Sequence, residues 1–323
     1  MLSKLYYKLH SGKNNKLAYL LKNYLSLLVP NSIYRRWLER TLREADTRAD
    51  REYITSRVDY YCRLQPGSHL PADAPCIGKR DKRWHKVYWF DTRECTRWFP
   101  PTLKWVFRPG DINFIPPVPS IVKSRPIAGD NANGVILKLN KVRHFIFVSD
   151  SIPFRDKKDM AVFRGKVKDK PQRVAFFEKH FRNPLCDLGD ISRHYSEHAD
   201  WHVEKMTIAD HLKYKFILAL EGNDVASNLK WVMSSNSVAV MPRPTCETWF
   251  MEGTLIPNYH YIEIKPDFSD LDERLHHYMQ HPEEAEAIIG HAHEYVEQFK
   301  DKERERLISL LVLDKYFKMT GQR

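Results

Sequence analysis

The stretch AVFRGKVKDKPQR, residues 161–173, decides how this chain is to be read. A short apolar run ends in Phe163-Arg164-Gly165, a loop carries Lys166, Lys168 and Lys170, and Pro171 then opens a helix with Arg173 in its first turn. Proline suits the first helical position, where its missing N–H would have no partner anyway. Strand, basic loop and helix start together offer backbone N–H groups, a positive helix end and guanidinium forks, a set suited to a diphosphate. A basic loop is more often a solvated face. Here the loop follows a buried strand, and Gly165 lets a backbone approach a ligand closely.

The pattern recurs in HLKYKFILALEGNDVASNLKWVMSSNSVAVMP, residues 211–242. A strand ending in Glu221-Gly222 runs into Asn223-Asp224, then a short helix begins near Ala226-Ser227-Asn228 and includes Lys230, and a second strand follows. Two loops after two strands can grip one anion together. Further strands are expected at HKVYWF (85–90), LKWVF (103–107), PSIVKS (119–124), GVILKLN (134–140) and RHFIFVSD (143–150). Helices are expected at 171–180, 207–211, 228–234 and, as one long final element, from 283 to about 319. Strands alternating with helices in both halves predict α/β architecture with parallel sheets and sites at their carboxyl ends.

Two more segments carry candidate chemistry. Glu247, beside Trp249 and Phe250, follows the strand SVAVMP (237–242), where a carboxylate could accept both hydroxyls of a ribose or cap a short helix. Asp111 follows Gly110 ahead of a proline-rich turn, a position where Asp ordinarily forms a side-chain-to-backbone turn.

The length of 323 residues suggests roughly two domains. With 42% hydrophobic and 29% charged residues the chain is a folded globular protein rather than a disordered one. The 52 basic against 41 acidic residues leave a net charge of +11, which points to a polyanionic partner without choosing among nucleic acid, an anionic membrane and a phosphorylated small molecule. The five cysteines, 62, 76, 95, 186 and 246, are odd in number and widely spread, against a disulfide framework or a zinc site. Scattered thiols fit a reducing cytoplasm, and MLSKLYYKLHSGKNNK (1–16) has no apolar core of secretion-signal length.

LAYLLKNYLSLL (17–28) puts Leu17, Leu20, Leu21, Tyr24, Leu25 and Leu28 on one helical face with Lys13, Lys16 and Lys22 nearby. Such stripes usually bury within the protein, which is the expectation adopted; the other reading is a helix lying on an anionic membrane. The segment from about 33 to 61 reads as mostly helical and salt-bridged. His194, His198 and His202 would share one helical face, and with His144 and His211 they read as a partly exposed polar face rather than a metal cluster. Asp270-Leu271-Asp272 reads as acids in the first turn of a helix, and no metal site is expected.

In this order along the chain, GDINFIP (110–116), PSIVKSRPI (119–127), VFRGKVKDKPQR (162–173), HLKYKFILALEG (211–222), SSNSVAV (234–240), LIPNYHYIEI (255–264) and DLDERL (270–275) resemble glycosyltransferase family 90. The likeness covers roughly residues 105 to 300 and is nearest to the family's bacterial, lipopolysaccharide-modifying branch. It implies a glycosyltransferase B-type fold, two Rossmann-like domains facing a cleft, here with an N-terminal helical region and a long C-terminal helix. Residues 1–155 would form the helical region and acceptor-side domain, 156–300 the donor-nucleotide domain and 301–323 the end of the C-terminal helix. It implies inverting transfer from a nucleotide sugar, expected to be UDP-linked, to a saccharide or lipid-linked acceptor, with no cofactor and no metal. By motif position Asp111 is the catalytic aspartate, Arg164 and Arg173 with neighbouring Phe163 and Gly165 bind donor, and Glu221, Gly222, Ser227, Asn228 and Lys230 line the diphosphate. Asn228 stands where the family commonly has an arginine, leaving Lys230 to meet the phosphate charge, and Glu247 would sit near the ribose. His260 corresponds to a histidine the family keeps. The branch implies cytoplasmic work on lipopolysaccharide or another envelope glycan, at the inner leaflet. The competing classes are a nucleic-acid binder, for which no recognisable module is present, and a non-catalytic membrane-surface protein.

Overall fold

A computed structural model of the chain describes residues 7, 10–79, 85–192 and 197–323. It separates into two compact units, neither continuous in sequence. The first comprises Met1–Asn14, Arg143–Pro244 and Thr254–Gln298, the second Asn15–Val142, Thr245–Gly253 and Phe299–Arg323. The principal helices are α1 (Lys16–Leu25), α2 (Asn31–Thr47), α3 (Arg51–Tyr61), α4 (Lys86–Thr96), α5 (Pro171–His180), α6 (Leu229–Val232), α7 (Leu271–Gln280), α8 (Pro282–Glu297) and α9 (Lys302–Met319). The strands are β1 (Phe107–Arg108), β2 (Ser120–Val122), β3 (Ser124–Pro126), β4 (Gly134–Ile136), β5 (Lys158–Gly165), β6 (Cys186–Asp190), β7 (Tyr214–Leu218), β8 (Val238–Met241), β9 (Cys246–Thr248) and β10 (Ile262–Glu263).

The first unit is built on a five-stranded parallel sheet of order β6-β5-β7-β8-β10. Every residue of β7 and β8 is buried, the near-continuous apolar reading of strands covered on both faces. Helix α5 turns Phe176 and Phe177 into a core that includes Phe163, Phe216, Leu218, Val240 and Ile262. Each such side chain contributes about 1.5–3 kcal/mol on burial. Ranked by appearance the strands run 2-1-3-4-5, a doubly wound order whose direction of winding reverses between β5 and β7. Open sheets of this kind bind ligands outside the carboxyl ends at that reversal.

The second unit holds a three-stranded parallel sheet, β1-β2-β4, and an antiparallel pair, β3-β9. Helix α9 packs on α2, α3 and α4. It buries Leu307, Ile308, Leu310, Val312, Leu313, Tyr316 and Phe317. The mixed α/β class and the parallel sheets are as the sequence predicts.

Several local expectations are corrected. HKVYWF is the start of helix α4, not a strand: the aromatic run has strand propensity, but the His85 side chain accepts from the Val87 N–H as a cap, and the periodic burial of Val87, Asp91 and Cys95 selects the helix. RHFIFVSD gives the end of a short helix, Lys141–His144, and then irregular chain whose polar groups bond to side chains, Val148 N–H to Ser234 Oγ at 2.9 Å among them. The strands in LKWVF and GVILKLN shrink to two and three residues, β1 and β4. The long final helix is two, α8 and α9, because Asp301 caps the N–H groups of Glu303 and Arg304 and starts a new one. His198 and His202 do not share a helix face: only the 3-10 turn Ala199–Trp201 separates them, and His198 stacks on Trp201 at 3.6 Å; His194 lies outside the described residues. The leucine stripe of α1 is not buried, with Leu17 at 76%, Leu21 at 61% and Leu28 at 79% exposure. Asp270 and Asp272 do stand at the start of a helix, α7. None of the five cysteines, all of them among the described residues, is in a disulfide. Among the described residues no helix is long and apolar enough to cross a membrane.

His211, at 7% exposure, bonds through Nδ1 to the Thr207 carbonyl at 2.7 Å, and burial pushes its pKa down to about 4. Its unfolded value is 6.5, so between those values the unfolded chain takes up a proton that the folded one refuses. The associated stability is present above pH 6.5 and is lost as pH falls towards 4, up to about 3 kcal/mol. Urea midpoints measured across that window should fall with acid in the wild type and fall less steeply in His211→Asn; equal slopes would exclude His211 as the cause.

Candidate functional site

At the carboxyl ends of β5 and β7 the two sequence-predicted loops meet around Arg173. Its Nε donates to the Glu221 carbonyl at 2.9 Å, Nη2 to Leu220 at 2.7 Å and Nη1 to Lys166 at 2.8 Å, so one guanidinium ties the loop after β5 to the loop after β7. Glycine fits the close approach at 165, where a Cβ would lie 2.5 Å from the Phe163 ring and 3.3 Å from Arg173 Nη1; at 222 a Cβ would press on Nη2 at 3.1 Å. The three acceptors are neutral carbonyls. Burial pushes the Arg173 pKa down to about 10, and the positive charge of exposed Arg143 adds to the lowering. Lys170 closes the same junction through Asn223 Oδ1, while Lys166 and Lys168 stay exposed. Fully buried Asp190 fixes the loop from below by accepting from the Val167 N–H at 2.9 Å. Cations gathered at the strand ends and hydrogen-bonded to carbonyls rather than carboxylates are groups of the kind that meet an anion, although Asp190, Asp224 and Glu221 act on Arg173 in the opposite sense.

The neighbouring residues are placed differently from expectation. Arg164 folds back along the sheet to pair with Asp187, which also accepts from the Tyr214 hydroxyl, so its guanidinium serves the β5–β6 edge. Asn228 Nδ2 donates to the Leu218 carbonyl at 3.0 Å and ties α6 to β7. Lys230 is fully buried, which takes it off the exposed surface of the loop. Phe163 is a core residue, and Ser227 is half-buried at the entrance to α6. His260 accepts from the Ile256 N–H at 2.9 Å and shapes its own loop.

In the second unit Asp111 stands just past the carboxyl end of β1, after a turn in which Gly110 has φ +108°. Its side chain is 25% exposed and is paired with Lys123, 2% exposed, the first residue after β2. Ile112 N–H donates to Ser124 Oγ at 3.0 Å and anchors the backbone beside it. An ammonium at this range favours the ionised carboxylate, and partial exposure leaves that carboxylate reachable. The sequence reading overlooked Lys123 and Arg143. A lysine directly after the apolar run PSIV was the available signal for the first; the second was masked by reading its segment as a strand.

Glu247 is not presented to a ligand. It is 1% exposed in β9, with Oε1 bonded to Arg125 Nε at 2.8 Å and Oε2 to the Tyr60 hydroxyl, so a ribose would have to displace one of them. Arg125, 0% exposed, also donates to the carbonyls of Gly134 at 2.9 Å and Tyr60 at 2.6 Å. This is a structural ion pair.

The family described as glycosyl transferase family 90 matches residues 135–320, more than half of the chain. The O-glucosyltransferase LpsA of Dichelobacter nodosus is 42% identical over 269 residues, which cover 83% of this chain and 84% of that protein. The family match includes the Arg173 junction, whereas Asp111 and Lys123 precede it.

Breaking a buried ion pair strands the remaining charge, at a cost of about 3–5 kcal/mol. Glu247→Gln should lower unfolding stability by that amount in urea titrations; a loss below about 1 kcal/mol, the scale of an exposed pair, would show that Arg125 is not dependent on it.

Proposed function

Because the chain belongs to glycosyl transferase family 90 and is a glycosyltransferase, we propose that it moves a sugar from a UDP-sugar to a hydroxyl of a saccharide acceptor with inversion at the anomeric carbon. The observation that carries this reading is the Arg173 junction at the β5–β7 reversal, an anion site where a doubly wound sheet binds ligands. In this reading each unit is a Rossmann-like domain, the first taking the nucleotide and the second the acceptor.

The chemistry follows from the residues. Asp111 accepts the proton of the acceptor hydroxyl as that oxygen attacks the anomeric carbon, and Lys123 holds the carboxylate in its ionised form and in place. The departing diphosphate gains negative charge, which Arg173, Arg143, the exposed lysines 166 and 168 and the N-terminus of α5 are disposed to meet without a metal ion. Arg164 would join them only on leaving Asp187. Exposed Phe114 and Ile115, close after Asp111, offer apolar surface to a sugar face. The name of the Dichelobacter nodosus O-glucosyltransferase makes glucose the first sugar to try. The acceptor in this proposal is a lipopolysaccharide or related envelope glycan, modified in the cytoplasm.

Loss of the base should separate chemistry from binding. Asp111→Asn is expected to lower transfer by about 10²–10⁴-fold while leaving UDP affinity by calorimetry unchanged, and turnover at the wild-type rate would overturn the assignment. Arg173→Ala should weaken UDP binding at least about tenfold, the loss of one charge-assisted contact. An unaltered affinity would remove the junction from the donor site. A panel of nucleotide sugars scored by thermal stabilisation identifies the donor, since a ligand bound only by the native state raises its stability.

A further inference from the structure

Of the large hydrophobic side chains exposed among the described residues, most fall between Leu17 and Trp37. Leu17, Leu21 and Leu25 recur every fourth residue along one face of α1, Leu28 continues them through the turn Ser26–Leu28, and Val29, Ile33 and Trp37 carry the patch onto α2. The helix is held in this orientation. Its Asn15 cap accepts from the N–H groups of Leu17 and Ala18 at 2.9 and 3.1 Å, and on the other side the Tyr19 hydroxyl donates to buried Asp91 at 2.6 Å. The Tyr24 ring meets the edge of Phe90 at 5.0 Å. The apolar face is therefore the outward one by construction. From Lys16 to Arg43 the sequence carries six basic residues, Lys16, Lys22, Arg35, Arg36, Arg40 and Arg43, and one acid, Glu39.

A second observation lies beside this face. A cavity of roughly 110 Å³ is lined by Asn31 and Arg35 of α2, by Arg93 and Arg97 at the end of α4, and by Lys79, with no acidic side chain among its described lining residues. It is smaller than the roughly 300–1,000 Å³ of a drug-sized ligand pocket. Arg97 is 6% exposed, and its buried Nε has no hydrogen-bond partner. Its Nη2 donates to the carbonyls of Ser26 at 3.3 Å and Val29 at 2.7 Å, the turn that carries the apolar patch, and its guanidinium lies 3.6 Å from the centre of the Tyr34 ring. Arg93 donates to Asn31 Oδ1 at 2.9 Å. Burial and the charge of Arg97 lower the pKa of Arg93, and burial lowers that of Arg97, as expected for guanidinium groups with no carboxylate among the described residues that line the cavity.

We propose that α1, the turn after it and the start of α2 lie on an anionic phospholipid surface, with the leucines at the boundary between headgroups and acyl chains and a lipid phosphate in the Arg35–Arg93–Arg97 cavity. An apolar face flanked by cations is what an interfacial helix presents, and guanidinium forks match phosphate oxygens. Neutral vesicles would satisfy the leucines alone, whereas anionic ones satisfy both halves of the surface. This proposal stands apart from the donor site and does not depend on it.

The test is sedimentation of the full chain with vesicles of phosphatidylcholine alone or mixed with phosphatidylglycerol, at low and high salt, alongside thermal shifts with inorganic phosphate. The wild type should bind the mixed vesicles, and salt should weaken the binding. The double variant Leu21→Glu, Leu28→Glu changes only exposed side chains and should lose binding about tenfold or more. Arg35→Gln with Arg93→Gln should lose about fivefold or more on mixed vesicles and little on neutral ones. Both variants should keep the wild-type rate of transfer to a soluble acceptor, so that failure here is distinct from failure of the enzyme assignment. The proposal is overturned if the wild type ignores mixed vesicles, if inorganic phosphate stabilises it while vesicles do not, or if the leucine variant merely converts a dimer into a monomer in sedimentation equilibrium.

Discussion

Arg125 and Glu247 form an ion pair with both side chains essentially out of water. The pair closes the antiparallel ladder β3-β9 and fixes the segment Thr245–Gly253, which interrupts the sequence of the first unit and belongs to the second. Around it the buried groups satisfy one another. Arg125 feeds carbonyls of α3 and β4, the Tyr60 hydroxyl completes Glu247, and Tyr61 stacks on Trp249 with centroids 4.0 Å apart. Trp249 Nε1 in turn donates to Glu305 of α9 at 2.6 Å, and Glu305 also accepts from Arg57 and Lys138. Charges in so dry a place are tolerable only when every one is paired. The network therefore dictates which distant segments must come together in the second unit.

The two units solve the same problem alike. Each carries a parallel sheet, each brings its candidate chemistry to the carboxyl ends of strands, and each fixes it with a cation: Arg173 between the β5 and β7 loops, Lys123 against Asp111. A parallel strand is buried along its length, so only its end can deliver a polar group to solvent without an unsatisfied interior. The glycines at 165 and 222 leave room for the Arg173 guanidinium where a Cβ would crowd it.

Much of this was legible. The strand-loop-helix at 161–173 and the strand-loop-helix at 216–232 were readable because apolar runs, turn residues and a helix-starting proline agree locally, and α5 spans the residues expected. Asp111 could be singled out by its motif. The aromatic run at 85–90 was misread because strand propensity is weak against a cap and a buried helical face. Arg164 and Glu247 were chosen for their charge, but charge says nothing of where a long side chain turns, and both turn into the protein.

The amino-acid sequence by itself determined the α/β class, the parallel strands of the first unit, the family and the basic loop at the end of β5, because these rest on periodicity, turn chemistry and short motifs carried by neighbouring residues. Only the tertiary structure decided that Arg173 rather than Arg164 sits at the strand-end junction, that Lys123 stands behind Asp111, that Glu247 belongs to a buried pair and that the leucines of α1 face outward. Those outcomes depend on partners from 12 to 187 residues away along the chain, Lys123 with Asp111, Tyr19 with Asp91 and Tyr60 with Glu247, and no local pattern encodes them.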